Sequence, residues 1–360
     1  MKRPQLIKFF AVCTLILLVP FISVSQKKDT ARVLDPDIEF YKQGVKLMDS
    51  LRYKEAIKIF QKAIKENPMY FQAFNKMAMC KARLRDFKGA EKDLAKSMKI
   101  QPDDHGTLKY LGIVYLEDMK YDSAKKYLDS AKALMKDDQE LEFYSGNLKF
   151  IKNDYKGAIA NYTQAIFLKE NYGEAYLKRG YILFKQQNYK NAIKDLTRGL
   201  ELSIADSSNV VVIRARADSY FEMGDFNSAI KDYSRIVTVD PNNEEAYAFR
   251  GAAKIEVKDF SGAIDDETKA IDINKNSFIA YNFRGVAKGG LKTFGPAIAD
   301  FDMSIKIKGN YASAFVNRAS VKFAMGQKKS ACDDLYKADT LGSNIAYKYI
   351  ESYCKDLDKK

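Results

Sequence analysis

The sequence predicts an all-α solenoid of about nine two-helix hairpins, closed by one further helix. Three observations predict it. A phrase built as aromatic-x-x-Ala-Ile returns along the chain: "YKEAI" at 53, "YKGAI" at 155, "YKNAI" at 189, "FNSAI" at 226, "FSGAI" at 260 and "FGPAI" at 294. "FKGAE" at 87 and "YDSAK" at 121 share its first half, and most successive copies lie 34 residues apart. Within each period apolar residues recur at i, i+3, i+4 and i+7, the spacing of one helix face, and they do so twice. A fixed period of this size marks a repeat array, because one hairpin cannot bury both its faces and must stack on neighbours.

Numbering each unit so that the alanine of the phrase is position 20, repeats begin at Asp37, Phe71, His105, Gln139, Gly173, Val210, Glu244, Phe278 and Ala312. Position 20 is alanine in every unit, from Ala56 to Ala331. Position 8 is glycine or alanine, from Gly44 to Ala319, and position 17 is aromatic except at Lys328. Positions 4, 7, 8 and 11 form the inner stripe of a first helix, and positions 17, 20, 24 and 27 that of a second. Small residues at 8 and 20 are expected to let the two backbones approach, with the aromatic at 17 plugging the hairpin. Pro68, Pro102 and Pro241 close three of the units. Repeats one to five occupy residues 37–204. The next step is three residues longer, within "SIADSSN" at 203–209, which places an inserted loop at 205–209. Repeats six to nine occupy 210–345. Residues 346–360 read as a C-terminal capping helix with a charged end, of the kind a repeat array needs for solubility.

Composition limits the chemistry. Of 360 residues 46% are hydrophobic, enough to close a large core. The single histidine, His105, stands at the start of a repeat. No cysteine–histidine group has the spacing of a metal site, and no phosphate-binding glycine loop or nucleophile elbow is present. "KGGLKTFG" at 288–295 is glycine-rich but coincides with an interhelix turn. An enzyme has no support here, and no cofactor or metal is expected.

A second pattern runs through the last five units. Position 7 is arginine in repeats five to nine, at Arg179, Arg216, Arg250, Arg284 and Arg318. Position 23 is aspartate in the same units, at Asp195, Asp232, Asp266, Asp300 and Asp334. In the first four units position 7 is Gln43, Met77, Leu111 and Ser145, and only Asp93 appears at 23 without its arginine. The turn lies near position 15, so antiparallel helices set 7 and 23 at one level. The reading is an ion pair inside each of these hairpins; the alternative is an arginine ladder that reads a ligand.

Over residues 37–345 these features resemble the tetratricopeptide repeat family. The resemblance implies a right-handed superhelix and a non-catalytic scaffold for protein partners, with first helices lining a concave groove. By helical phase, positions 2, 5, 9 and 12 then point into the groove, and the central units supply Phe143, Asn147, Phe150, Tyr181, Phe184, Arg214 and Phe221. An aromatic groove flanked by mixed charge suits an extended or helical peptide with apolar anchors; the alternative is that some of these rings pack on neighbouring first helices. The family's carboxylate-clamp subtype sets Lys and Asn at positions 5 and 9 of one unit. Repeat two has Asn75 and Met79 there and repeat three has Lys109 and Ile113, so capture of a C-terminal carboxylate is not expected. The cysteine-bearing ending is similar to that of exported repeat proteins of Bacteroidota-type bacteria. Cys332 lies in the last second helix and Cys354 in the closing helix, and antiparallel packing would bring them together as a disulfide. The alternative is two small buried thiols.

The first residues bear on compartment. "MKRPQLIK" is a basic n-region, "FFAVCTLILLVPFISVS" is an apolar run, and Ser23 and Ser25 are small residues at −3 and −1 of a cleavage site. Residues 1–25 read as a signal peptide and 26–36 as a linker. An uncleaved anchor is the alternative, but the run is short for a bilayer and contains Pro20. The expectation is an exported protein, periplasmic, outer-membrane-associated or secreted, with no transmembrane span after cleavage and no nucleic-acid partner. The formal net charge is +13, and loss of the leader removes Lys2, Arg3 and Lys8 but no acid. That basicity admits a second reading beside the peptide-binding scaffold, an adaptor for anionic glycan or lipid headgroups.

Overall fold

The computed structural model of the protein describes residues 35–202 and 209–355. The expected signal peptide, most of the expected linker and inserted loop, and the last residues of the capping segment lie outside the described residues. Among the described residues there are nineteen α-helices and no strand. Helix α1 (Pro36–Asp49) folds back on α2 (Tyr53–Glu66), and the pairing repeats through α17 (Ala312–Ala324) and α18 (Lys328–Thr340). The two helices of each hairpin pack most heavily on each other, and each second helix packs next on the first helix of the following unit. The last helix, α19 (Asn344–Tyr353), closes the array. Two boundaries shift slightly. Pro36 already opens α1, since proline suits the first helical position. α19 starts before residue 346, where the Ser343 side chain accepts from the Ala346 N–H.

Every hairpin turns on one left-handed residue, position 15. Leu51, Arg85, Met119, Asn153, Gln187, Lys258 and Lys292 have φ between 59° and 64°, while Gly224 and Gly326 reach 77° and 78°. A side chain here costs about 1 kcal/mol, which glycine avoids. Closing backbone bonds offset that cost. The N–H of position 16 donates to the carbonyl of position 11, as in Asp86 to Lys81 and Asp154 to Lys149, and so caps the first helix. The same aspartates then cap the second helix, accepting from the Gly89 and Gly157 N–H groups at 2.9 Å. A three-residue connection thereby ends one helix and begins the next.

The glycines at position 8 face a side chain rather than a backbone. A methyl group added at Gly44, Gly146 or Gly285 would stand 2.5–2.7 Å from the ring of Phe60, Tyr162 or Phe301. Those rings occupy position 24 of the same hairpins and are fully buried. The small residue is thus a socket for a large one. The alanines at position 20 are all fully buried between the helices.

Cys332 and Cys354 form a disulfide with Cα atoms 5.8 Å apart, tying α19 to α18. The bond closes a loop 22 residues long, and for that length the loss of unfolded-chain entropy is worth about 3 kcal/mol. Replacing both cysteines by alanine should therefore release the cap first. Hydrogen exchange in α19 should accelerate while α1–α2 stays as protected as before; unchanged protection of α19 would contradict this. Cys80 is a free buried thiol, pushed up to about 11 by burial and so protonated at neutral pH.

Candidate functional site

The arginines of repeats five to nine are spent inside the scaffold. Arg179 donates from Nε and Nη2 to Asp195 at 2.6 and 2.9 Å. The same forked pair joins Arg216 to Asp232, Arg250 to Asp266, Arg284 to Asp300 and Arg318 to Asp334, at 2.5–3.0 Å. The remaining nitrogen reaches back to the preceding unit. Nη1 donates to Thr163, Thr197, Ser234, Thr268 and Asp302, one on each preceding second helix. Each arginine therefore staples two repeats. The rings of Tyr176, Tyr247, Tyr281 and Phe315 stand 5.4–5.6 Å from the guanidinium groups. Lys254, Lys288 and Lys322 bring a second cation to Asp266, Asp300 and Asp334 at 2.7–2.8 Å. In repeat two Lys81 takes this place alone, 2.5 Å from Asp93, which accounts for the aspartate without an arginine.

The first helices of the central repeats line two adjoining cavities. Leu116, Tyr144, Asn147 and Phe150 line one of 710 Å³. Phe150, Leu177, Tyr181 and Val211 line another of 610 Å³. Phe150, Glu174 and Lys178 line both, so the two form one trough along repeats three to six. The rings of Tyr155, Phe150, Tyr181, Phe184 and Tyr189 run beside it with successive centroids 5.8–6.4 Å apart. The Arg83–Glu117 pair, at 2.7 Å, stands at one end.

Three residues of the sequence-derived groove set behave differently. Phe143 helps to line the 710 Å³ cavity but from its floor: it is 3% exposed, and its ring lies 5.0 Å from that of Tyr172 and 5.8 Å from that of Tyr162. The reason is general. Position 5 is buried in repeats two to five and seven to nine, because adjacent first helices pack closely enough to cover it. Asn75 and Lys109 show the consequence for a carboxylate clamp: Asn75 donates to Thr107, and Lys109 is paired with Asp138 and Glu140. Arg214 is held by Asp218 at 2.8 Å and Glu245 at 3.0 Å, over the Phe249 ring. Phe221 packs on Phe226 at 5.2 Å. The trough is lined through positions 2, 5, 6, 9 and 12, and position 6 adds Tyr144 and Lys178 to Phe143, Asn147, Phe150 and Tyr181. Widening the inward stripe from position 5 to its neighbour at 6 would have found them.

One buried group is out of place. Glu267 occupies position 24, where every other unit has Phe, Leu or Tyr. It is fully buried against Gly251, and neither carboxylate oxygen has a hydrogen-bond partner among the described residues. Burial drives its pKa well above the usual carboxylate range, the Asp266 and Glu244 charges add to this, and Arg284 partly opposes it.

Among the described residues no group of acids, histidines and cysteines is placed to hold a metal ion, and no helix is long and apolar enough to cross a membrane. Stacked hairpins around a lined trough define an α-solenoid interaction scaffold. Family models described as TPR or tetratricopeptide repeat match residues 41–105, 146–187, 173–203 and 215–243. The chain is a tetratricopeptide repeat protein, a family of protein-binding scaffolds. It is similar to serine/threonine-protein phosphatase 5 of Rattus norvegicus, 31% identical over 32% of this chain and 22% of the phosphatase. The chain thus spans about a fifth of that relative's length. Among solved structures it is similar to YrrB, described as a TPR protein with an unusual peptide-binding site, with TM-score 0.41, 17% identity and coverage of 53% of this chain and 97% of that one. It is also similar to the Cut9–Hcn1 hetero-tetramer, with TM-score 0.46, 17% identity and coverage of 78% and 55%.

Proposed function

We propose that this protein is a non-catalytic scaffold of the bacterial cell envelope that binds an extended or helical peptide segment of a protein partner in the trough of repeats three to six. The observation that carries this reading is the trough itself. Its rings offer seats for apolar anchors, and Arg83, Glu117, Glu174 and Lys178 border it with both signs of charge. The envelope assignment rests on the N-terminal signal pattern and is supported by the Cys332–Cys354 disulfide, which suits an oxidising compartment. An adaptor for anionic glycan or lipid has net charge as its support, and the two readings differ in salt dependence.

Changing Phe150 and Tyr181 together to serine should weaken binding of the partner by at least about tenfold, which is about 1.4 kcal/mol. Affinity should change little between low and moderate salt. Full affinity in the double variant, with a steep fall on adding salt, would favour the anionic ligand instead.

A further inference from the structure

Repeat four departs from the arginine register at three positions together, and the departure leaves a cavity. In repeats five to nine the guanidinium at position 7 is seated by an aspartate at 23, by an oxygen on the preceding second helix, and in four of the five by a ring at position 4. Repeat four spans α7 (Gln139–Ile151) and α8 (Tyr155–Leu168). It has Ser145 at position 7, Asn161 at 23 and Glu142 at 4. The preceding second helix, α6 (Tyr121–Leu134), brings Asp129 to the place held by Asp302 ahead of repeat nine. Asp129, Glu142 and Asn161 all line a cavity of 610 Å³, together with Lys132, Lys136 and Lys149. The oxygen acceptors of the seat remain, and the arginine is missing.

Hydrogen bonding fixes what the seat lacks. Asn161 is 5% exposed and its amide nitrogen donates to the Glu142 carboxylate. A carboxylate only accepts, so the amide oxygen must face away from it. That oxygen is buried without a partner among the described residues. Glu142 is 3% exposed and, among the described residues, is otherwise paired with the Lys132 ammonium, at 2.5 Å. Lys132 is 43% exposed and can swing to water without stranding its charge.

We propose that this cavity is a second binding site, for the guanidinium of an arginine side chain presented by a partner segment, seated where repeats five to nine seat their own. A guanidinium supplies the donor that the Asn161 oxygen lacks and can take the place of the Lys132 ammonium at Glu142, in the planar fork that suits paired acceptors. An anion would satisfy the rim lysines, but it would meet Glu142 and leave the Asn161 oxygen without a donor. The site lies apart from the trough and does not depend on it.

The chain itself supplies the blocking variant. Ser145→Arg with Asn161→Asp should fill the cavity with the pair that five other repeats contain, keeping the fold. Asn161→Leu removes the acceptor without adding charge. N-acetyl-L-arginine amide, N-acetyl-L-lysine amide, free L-arginine and inorganic phosphate are titrated into the full protein, and the Asn161 side-chain amide is followed by NMR. The arginine amide should shift that resonance in the wild type and bind at least about fivefold more tightly than the lysine amide. In both variants, with folding verified by circular dichroism, its affinity read from ligand-observed NMR should fall by at least about tenfold. No shift with the arginine amide, equal binding by the folded variants, or preference for phosphate overturns the proposal. Binding of free L-arginine without binding of the amide overturns the side-chain source.

Discussion

Arg179→Met should destabilise the array by about 3–5 kcal/mol, because it strands Asp195, which is 4% exposed. The aspartate's bonds at 2.6 and 2.9 Å both come from this arginine, and position 11 of its unit is Leu183, with no charge to substitute. The staple to Thr163 is lost as well. Arg284→Met should cost clearly less, since Lys288 still stands 2.7 Å from Asp300. The penalty belongs to the stranded charge rather than to the pair, so Arg179→Met with Asp195→Leu should recover most of the loss. Urea midpoints of the three variants test this, with hydrogen exchange locating the weakened unit, because long arrays do not always unfold in one step. Equal costs for Arg179→Met and Arg284→Met would show that the lysines contribute nothing.

Glu267→Leu should act in the opposite direction and stabilise the protein by about 2 kcal/mol, the cost of a buried polar group without a partner. Leucine fits that place, since Leu196 fills it over Gly180 in repeat five. The effect depends on pH. Burial raises the folded-state pKa above the ordinary value of 4.5, so the folded protein holds the proton after the unfolded chain has released it. Below pH 4.5 the group is protonated in both states and contributes no slope. Above it, stability falls with rising pH until the folded carboxyl ionises. Wild-type stability should therefore carry a downward slope over this range that Glu267→Leu lacks. Parallel pH profiles for the two proteins would contradict the assignment.

The period was open to reading because positions 8, 17 and 20 recur in nearly every unit, and recurrence within one chain does the work of an alignment. The Arg–Asp pairs were legible for the same reason: positions 7 and 23 change together. The backward bond to the preceding unit was hidden, because Thr163, Thr197, Ser234, Thr268 and Asp302 share an oxygen but not a residue type. The groove was read on positions 2, 5, 9 and 12, and its extension to position 6 was missed. Phe143 reads as a groove ring on an isolated helix, and the rings of Tyr162 and of Tyr172, just ahead of α9 (Gly173–Lys185), cover most of it. Glu267, Glu142 and Asn161 were visible as misfits in the register. Their meaning depends on which of their oxygens find donors, and a repeat frame does not supply that.

The central claim is that the partner lies in the trough of repeats three to six. The direct test is a photoreactive phenylalanine analogue placed in turn at Phe150, at Tyr181 and at Lys231, which is exposed on the second helix α12 (Phe226–Val239). Each version is irradiated in intact cells, and the crosslinked peptides are mapped by mass spectrometry. The account predicts that Phe150 and Tyr181 capture one segment of the same protein and that Lys231 does not. Capture of that protein from Lys231, with none from the two trough positions, would contradict it.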